Sequence, residues 1–180
     1  EIDLKKLRDN KTEIKIIINK LNEYLCAHIE NQIGAGADIV QVFDSWAGLI
    51  PNHNLHDYCY TPNKKIVNFC RTIKTPVICF PRGINKNYLT FANIVKPNCL
   101  SLDYEIDPVW AKTNLKSFCL QGGMDPKILF KSEKEIFDEV DRYLTIFKKS
   151  PYIFNLGHGL LPETNPDTLR KIIERVNNFK

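Results

Sequence analysis

Ile39-Val40-Gln41-Val42-Phe43-Asp44-Ser45-Trp46-Ala47-Gly48 carries the signal that sets the fold. Its first five residues are mostly β-branched or aromatic, which predicts a strand over 39–43 buried on both faces. The switch to Asp-Ser-Trp-Ala-Gly predicts that this strand ends in a polar, glycine-containing loop. Four further segments repeat the plan. Strands are expected over 77–80, 99–102, 118–120 and 152–154. They run into Phe80-Pro81-Arg82-Gly83, Leu102-Asp103-Tyr104, Leu120-Gln121-Gly122-Gly123-Met124-Asp125-Pro126 and Phe154-Asn155-Leu156-Gly157-His158-Gly159.

Helical patterns fill the intervals. Ile14, Ile17, Ile18, Leu21, Leu25 and Ile29 recur at spacings of three and four, which predicts one helical face over 13–33. Gly34-Ala35-Gly36 stops that helix. Residues 51–62 read as irregular chain or broken helix, and helices are expected over 64–73, 87–95 and near 108–114. Ser132 with Glu135 three residues on is a capping-box signature for a helix reaching 149. Asn165-Pro166 opens a last helix with Leu169, Ile172, Ile173 and Val176 inward.

Strand–helix alternation predicts an α/β fold of parallel strands joined by right-handed crossovers. Such folds place their sites at the carboxyl ends of the strands, where these polar and glycine residues sit. Five βα units cannot close a ring of eight. An open doubly wound sheet is the competing architecture, but Gly34-Ala35-Gly36 precedes its strand and lacks a third glycine, so the dinucleotide fingerprint is rejected.

At 180 residues the chain is read as one domain over 1–180, without linker or fixed-period repeat. It is 43% hydrophobic and 26% charged, an ordinary globular balance. No stretch approaches the roughly 18 apolar residues of a membrane span. Glu1-Ile2-Asp3-Leu4-Lys5-Lys6 has no signal-peptide core, and without an initiator Met the chain is expected to be part of something longer. A net charge of +4 with basic and acidic residues intermixed argues against a nucleic-acid partner. Cys26, Cys59, Cys70, Cys79, Cys99 and Cys119 fall inside expected helices and strands without a C-x-x-C pair, so they read as reduced core residues of a cytoplasmic protein.

The strand-end cassettes supply the candidate site residues. Ser45 lacks the G-x-S-x-G elbow of a nucleophile and reads as a hydroxyl donor to a ligand carboxylate or carbonyl, against the alternative of a loop cap. His158, between two glycines that allow close backbone approach, reads as a ligand contact through its imidazole. Arg82 and Lys86 are candidates for ligand acids, with surface solvation at least as good an account. Asp103 is either a catalytic carboxylate or a structural acceptor, the structural role being favoured. Asp125-Pro126 reads as a helix cap. His53 and His56 have no cysteine pair to complete a zinc set, and no metal is expected.

Taken together, the cassettes resemble those of uroporphyrinogen decarboxylases. The residues that carry the likeness are Gln41-Val42-Phe43-Asp44-Ser45-Trp46-Ala47-Gly48, Leu120-Gln121-Gly122-Gly123-Met124-Asp125-Pro126, and Asn155-Leu156-Gly157-His158-Gly159 with Leu161-Pro162-Glu163-Thr164. The resemblance spans essentially the whole chain and corresponds to the C-terminal half of the family's barrel. It implies a (β/α)8 barrel of TIM type with about five of eight units present here. It also implies a cofactor-free, cytosolic, homodimeric decarboxylase of uroporphyrinogen, with Ser45 and His158 as substrate contacts. The family's key aspartate belongs to the absent N-terminal half, so no catalytic residue is assigned in this chain. The chain is then expected to be inactive alone, and to need that half or self-association. Two alternatives are a non-catalytic tetrapyrrole-binding remnant and a related cobalamin-dependent methyltransferase barrel. The latter would want zinc ligands at the strand ends, and Val77 stands where one would be sought.

Overall fold

A computed structural model describes residues 10–179, so the signal-peptide argument on residues 1–6 lies outside the described residues. The chain is an α/β protein made of two compact units, Glu1–Asn98 and Cys99–Lys180.

In the first unit, α1 (Lys11–Gly34) is followed by β1 (Val40–Asp44), α2 (Thr61–Thr72), β2 (Val77–Pro81) and α3 (Tyr88–Val95). The strands run parallel in the register Val40↔Val77 to Asp44↔Pro81. β2 is buried throughout, as its apolar run predicts. β1 departs from the expectation of burial on both faces: Phe43 is 66% exposed and the flanking Ile39 is 54% exposed. Its β-branched residues satisfy the strand's backbone preference, but only β2 pairs with it among the described residues.

α1 forms where expected and ends where Gly36 adopts φ +106°, but its packed face is rotated. Asn22 and Ile29 are buried with Ile18, Cys26 and Ile33 half-buried, whereas Ile17, Leu21 and Leu25 of the expected stripe are exposed. Polar bonds to the following segment set that rotation. Asn22 Nδ2 donates to the Pro62 carbonyl at 3.3 Å, Lys65 Nζ to Asn19 Oδ1 at 2.6 Å, and Lys11 pairs with Asp57 at 3.1 Å. The irregular stretch before α2 consists of short 3-10 turns at Ala47–Leu49 and Asn52–Asn54 and one π-helical turn, His56–Tyr60.

The second unit carries β3 (Cys99–Leu102), α4 (Pro108–Asn114), β4 (Cys119–Gly122), α5 (Glu133–Phe147), β5 (Tyr152–Ile153) and α6 (Pro166–Asn177). β3 pairs with β4 and β4 with β5, both parallel, and a bridge from Met124 to Leu156 carries the last pairing past the strand ends. Helix starts follow the caps in the sequence. Asp107 accepts from the amides of Val109 and Trp110, and Asn165 from Asp167. Ser132 and Glu135 close both bonds of the capping box. Asp125 caps as expected, although Pro126–Phe130 is a 3-10 helix. α6 buries Ile172, but Ile173 is 59% exposed instead of inward. All six cysteines are free thiols, four of them buried. No helix of the described residues is long and apolar enough to cross a membrane.

Candidate functional site

Each unit gathers its polar strand ends, and Ser45 and His158 belong to different units. In the first, the loops after β1 and β2 are stitched through their backbones. The Arg82 amide donates to the Asp44 carbonyl at 3.1 Å, and the Gly48 amide to the Arg82 carbonyl at 2.8 Å. This contact requires glycine at 48, because a Cβ there would lie 2.5 Å from the Gly83 carbonyl oxygen. The stitched turn holds Ser45 half-buried between Asp44 and a Trp46 that is 73% exposed. Ser45 has no hydrogen-bond partner among the described residues, so its hydroxyl is available to a ligand.

Asp44 turns the other way, onto the segment leading into α2. Asn63 Nδ2 donates to its Oδ2 at 3.1 Å and the Cys59 thiol also bonds it. Burial nevertheless wins over these two donors and holds the Asp44 carboxyl above its ordinary range. Burial likewise pushes the Cys59 and Cys79 thiols up, so neither is a reactive thiolate. Arg82 is half-buried and Lys86 exposed just beyond β2.

In the second unit three strand ends converge. The Gly157 amide donates to the Met124 carbonyl at 2.7 Å, and a Cβ on Gly157 would stand 2.4 Å from the Tyr104 amide nitrogen. The Gly122-Gly123 turn between them adopts φ +78° and +106°, which only glycine takes readily. Tyrosines clamp this turn from behind. Tyr143 Oη donates to the Gly123 carbonyl at 2.7 Å and Tyr152 Oη to that of Gly122 at 3.0 Å. Tyr152 in turn stacks on Phe147 at 4.2 Å, and burial pushes the Tyr143 phenol up to about 12.

His158, one residue past this junction, is exposed with no partner among the described residues. Asp103 is 1% exposed and its Oδ1 accepts from the Glu105 amide at 3.0 Å, the geometry of a turn anchor. Sequence reasoning passed over the buried pair in which Gln121 Nε2 donates to Ser101 Oγ at 3.1 Å. It also passed over the Asn63–Asp44 contact, since nothing local in the sequence joins residues nineteen apart. Among the described residues no group of three or more His, Cys, Asp or Glu side chains could hold a metal. An apolar hollow of about 400 Å³, walled by Phe154, Leu156, Leu160, Leu169 and Ile173, opens beside α6.

Comparison with known proteins matches residues 3–179 to the family described as uroporphyrinogen decarboxylase. A uroporphyrinogen decarboxylase of Paracoccus denitrificans is 32% identical over 171 residues, 93% of this chain and 50% of that protein. One from Cereibacter sphaeroides is 32% identical over 176 residues, 95% of this chain and 51% of the relative. One from a Wolbachia is 33% identical over 173 residues, covering 92% and 49%. The chain thus spans about half the length of the curated relatives it matches.

Proposed function

The chain belongs to the uroporphyrinogen decarboxylase family, and from that premise we propose that it supplies half of a uroporphyrinogen-decarboxylating site. The reaction removes carbon dioxide from the four acetate side chains of uroporphyrinogen III to give coproporphyrinogen III, in porphyrin and haem biosynthesis. Residues 1–180 act as one partial domain of a (β/α)8 barrel, with its N-terminal half or a second copy as partner, in the cytoplasm. What carries the reading is the family match through the strand-end cassettes, at which Ser45 and His158 keep polar side chains without partners among the described residues. The exposed Phe43 on β1, the exposed Ile153 on β5 and the apolar hollow beside α6 support an incomplete barrel, since edges of this kind are ordinarily covered.

The chemistry asks for no cofactor. Protonation of a pyrrole carbon makes the ring a cationic electron sink. The bond between the acetate methylene and its carboxylate then breaks, carbon dioxide leaves, and the electron pair flows into the ring. Protonation of the methylene and loss of the ring proton restore the pyrrole, so each acetate becomes a methyl with net uptake of one proton. A carboxylate facing the pyrrole N–H groups stabilises the cation, and it comes from the half not present here. This chain's part is to hold the peripheral acids. Ser45 Oγ donates to one carboxylate, and an imidazole N–H of His158 donates to another.

The deciding experiment assays coproporphyrinogen formation by the chain alone and mixed with a separately supplied N-terminal half of a relative. Activity only in the mixture is expected. Inactivity of both would overturn the decarboxylase reading in favour of a binding remnant. In the active mixture His158→Ala should weaken substrate binding, and an unchanged affinity would remove His158 from the site.

A further inference from the structure

α1 spends polar side chains on its own unit and leaves apolar ones bare. Toward the segment that leads into α2 it turns Asn22, Asn19, Lys11 and Lys15, which meet the Pro62 carbonyl, Lys65 and Asp57. On another face Ile17 is 57% exposed, Leu21 55% and Tyr24 66%, with the half-buried Ile14 one turn before them. Ile14, Ile17, Leu21 and Tyr24 stand three, four and three residues apart, the spacing by which one helix packs its seam against another. Charge is kept to one margin of this seam. There Lys20 Nζ pairs with Glu23 at 2.8 Å and lies 5.3 Å from the Tyr24 ring centroid. Leu25, 44% exposed, borders the other margin. An apolar middle with a polar rim is the anatomy of a protein interface.

We propose that α1 is a self-association surface, on which a second copy of this chain lays its own α1 antiparallel across Ile14, Ile17, Leu21 and Tyr24. The seam is self-complementary. About a two-fold axis, Ile17 faces the partner's Leu21 and Ile14 faces the partner's Tyr24, so each apolar side chain meets another. Antiparallel helices also set their macrodipoles in opposition. The bare area suffices as well. It is on the order of 400 Å² per copy, and a contiguous patch of that size marks an interaction site. With its margins, a pair of copies buries about 1,000 Å², the lower bound of a specific interface. Such an area makes a weak, concentration-dependent dimer. The pairing needs neither Ser45, His158 nor a bound tetrapyrrole, so it stands or falls apart from the decarboxylase reading.

Sedimentation of the full chain from about 1 μM to about 200 μM tests the pairing. Wild type should pass from monomer to dimer across that range. Leu21→Glu buries a charge at the seam and should raise the dissociation constant by more than about tenfold. Ile16→Glu alters an isoleucine that is 63% exposed but off the seam, and should leave the constant within about twofold. Because both positions face solvent in the single chain, the urea midpoint of each variant at 1 μM or so should match wild type. Ile17→Lys should also yield monomer, and mixing it with Leu21→Glu should restore a dimer, since antiparallel pairing opposes the two new charges. A mixture that stays monomeric would overturn the antiparallel setting. Wild type that is monomeric throughout, or weakened equally by Ile16→Glu and Leu21→Glu, would overturn the surface itself. Monomeric wild type that captures a relative's separately supplied N-terminal half, where Leu21→Glu does not, would assign the seam to that half instead.

Discussion

Gly157 lies so close to Tyr104 that a Cβ on it would stand 2.4 Å from the Tyr104 amide nitrogen and 2.8 Å from the Asp103 carbonyl carbon. Both obstacles are backbone, so neither can swing aside as a side chain would. With the Gly157–Met124 bond at 2.7 Å, this contact locks the loop carrying His158 onto the ends of β3 and β4. Gly157→Ala should therefore destabilise the chain by about 1–3 kcal/mol through overpacking. Urea unfolding measures the loss, and an unchanged midpoint would show that the loop is not held by this contact.

Tyr143 fixes the same junction from the core side. Its hydroxyl satisfies the buried Gly123 carbonyl at 2.7 Å, while its ring edge lies where a Cβ on Gly123 would meet it at 3.1 Å. Tyr143→Phe keeps the packing and orphans the carbonyl, which costs about 1–3 kcal/mol for a buried acceptor. Thermal unfolding of the variant should show that loss, and the His158 loop should exchange its amides faster.

α1 separates what periodicity reveals from what it leaves open. Helical spacing specifies that Ile14, Ile17, Ile18, Leu21, Leu25 and Ile29 lie near one another, but not which edge of that broad apolar surface meets α2. Asn22, Asn19 and Lys11 choose the edge through their bonds to Pro62, Lys65 and Asp57. Ile29→Ala, at 5% exposure, should cost about 2–5 kcal/mol. Leu25→Ala, at 44% exposure, should stay within about 0.5 kcal/mol in this chain. A larger loss at Leu25 would place its side chain against a partner in solution.

The strand ends were legible for the same reason that the α1 rotation was not. A change from β-branched residues to Asp-Ser-Trp-Ala-Gly or to Gly-His-Gly is local, and local chemistry terminates strands. Burial of β1 depends on what lies on its second edge, which no residue in 39–43 encodes. The anchoring of Asp44 escaped for a similar reason, since Asn63 lies beyond a π-helical turn that has no clear sequence signature. Ser45 and His158 could be singled out because each stands just past an apolar strand run, in a cassette that carries the family resemblance.

Arg175 on α6 grips Asp141 on α5 with two bonds, one of them Nε to Oδ1 at 2.9 Å, and this pairing gives the helix pair a pH dependence. The guanidinium holds the Asp141 carboxyl below its ordinary range, with only a small opposing effect of burial. A carboxyl whose folded value lies below its unfolded one stabilises the fold above the ordinary carboxylate range. That stabilisation drains away as pH falls through the lowered value. The pair is largely solvated, so solvent screening keeps its contribution small. Amide exchange in α6 should therefore quicken modestly on moving from about pH 6 to about pH 3, after correction for the intrinsic rate. Asp141→Asn should carry most of that quickening already at the higher pH and respond less to acid, and added salt should mimic the variant. If wild type and Asp141→Asn show the same acid response, α6 is held by Ile172 and its neighbours alone and the ion pair adds nothing measurable.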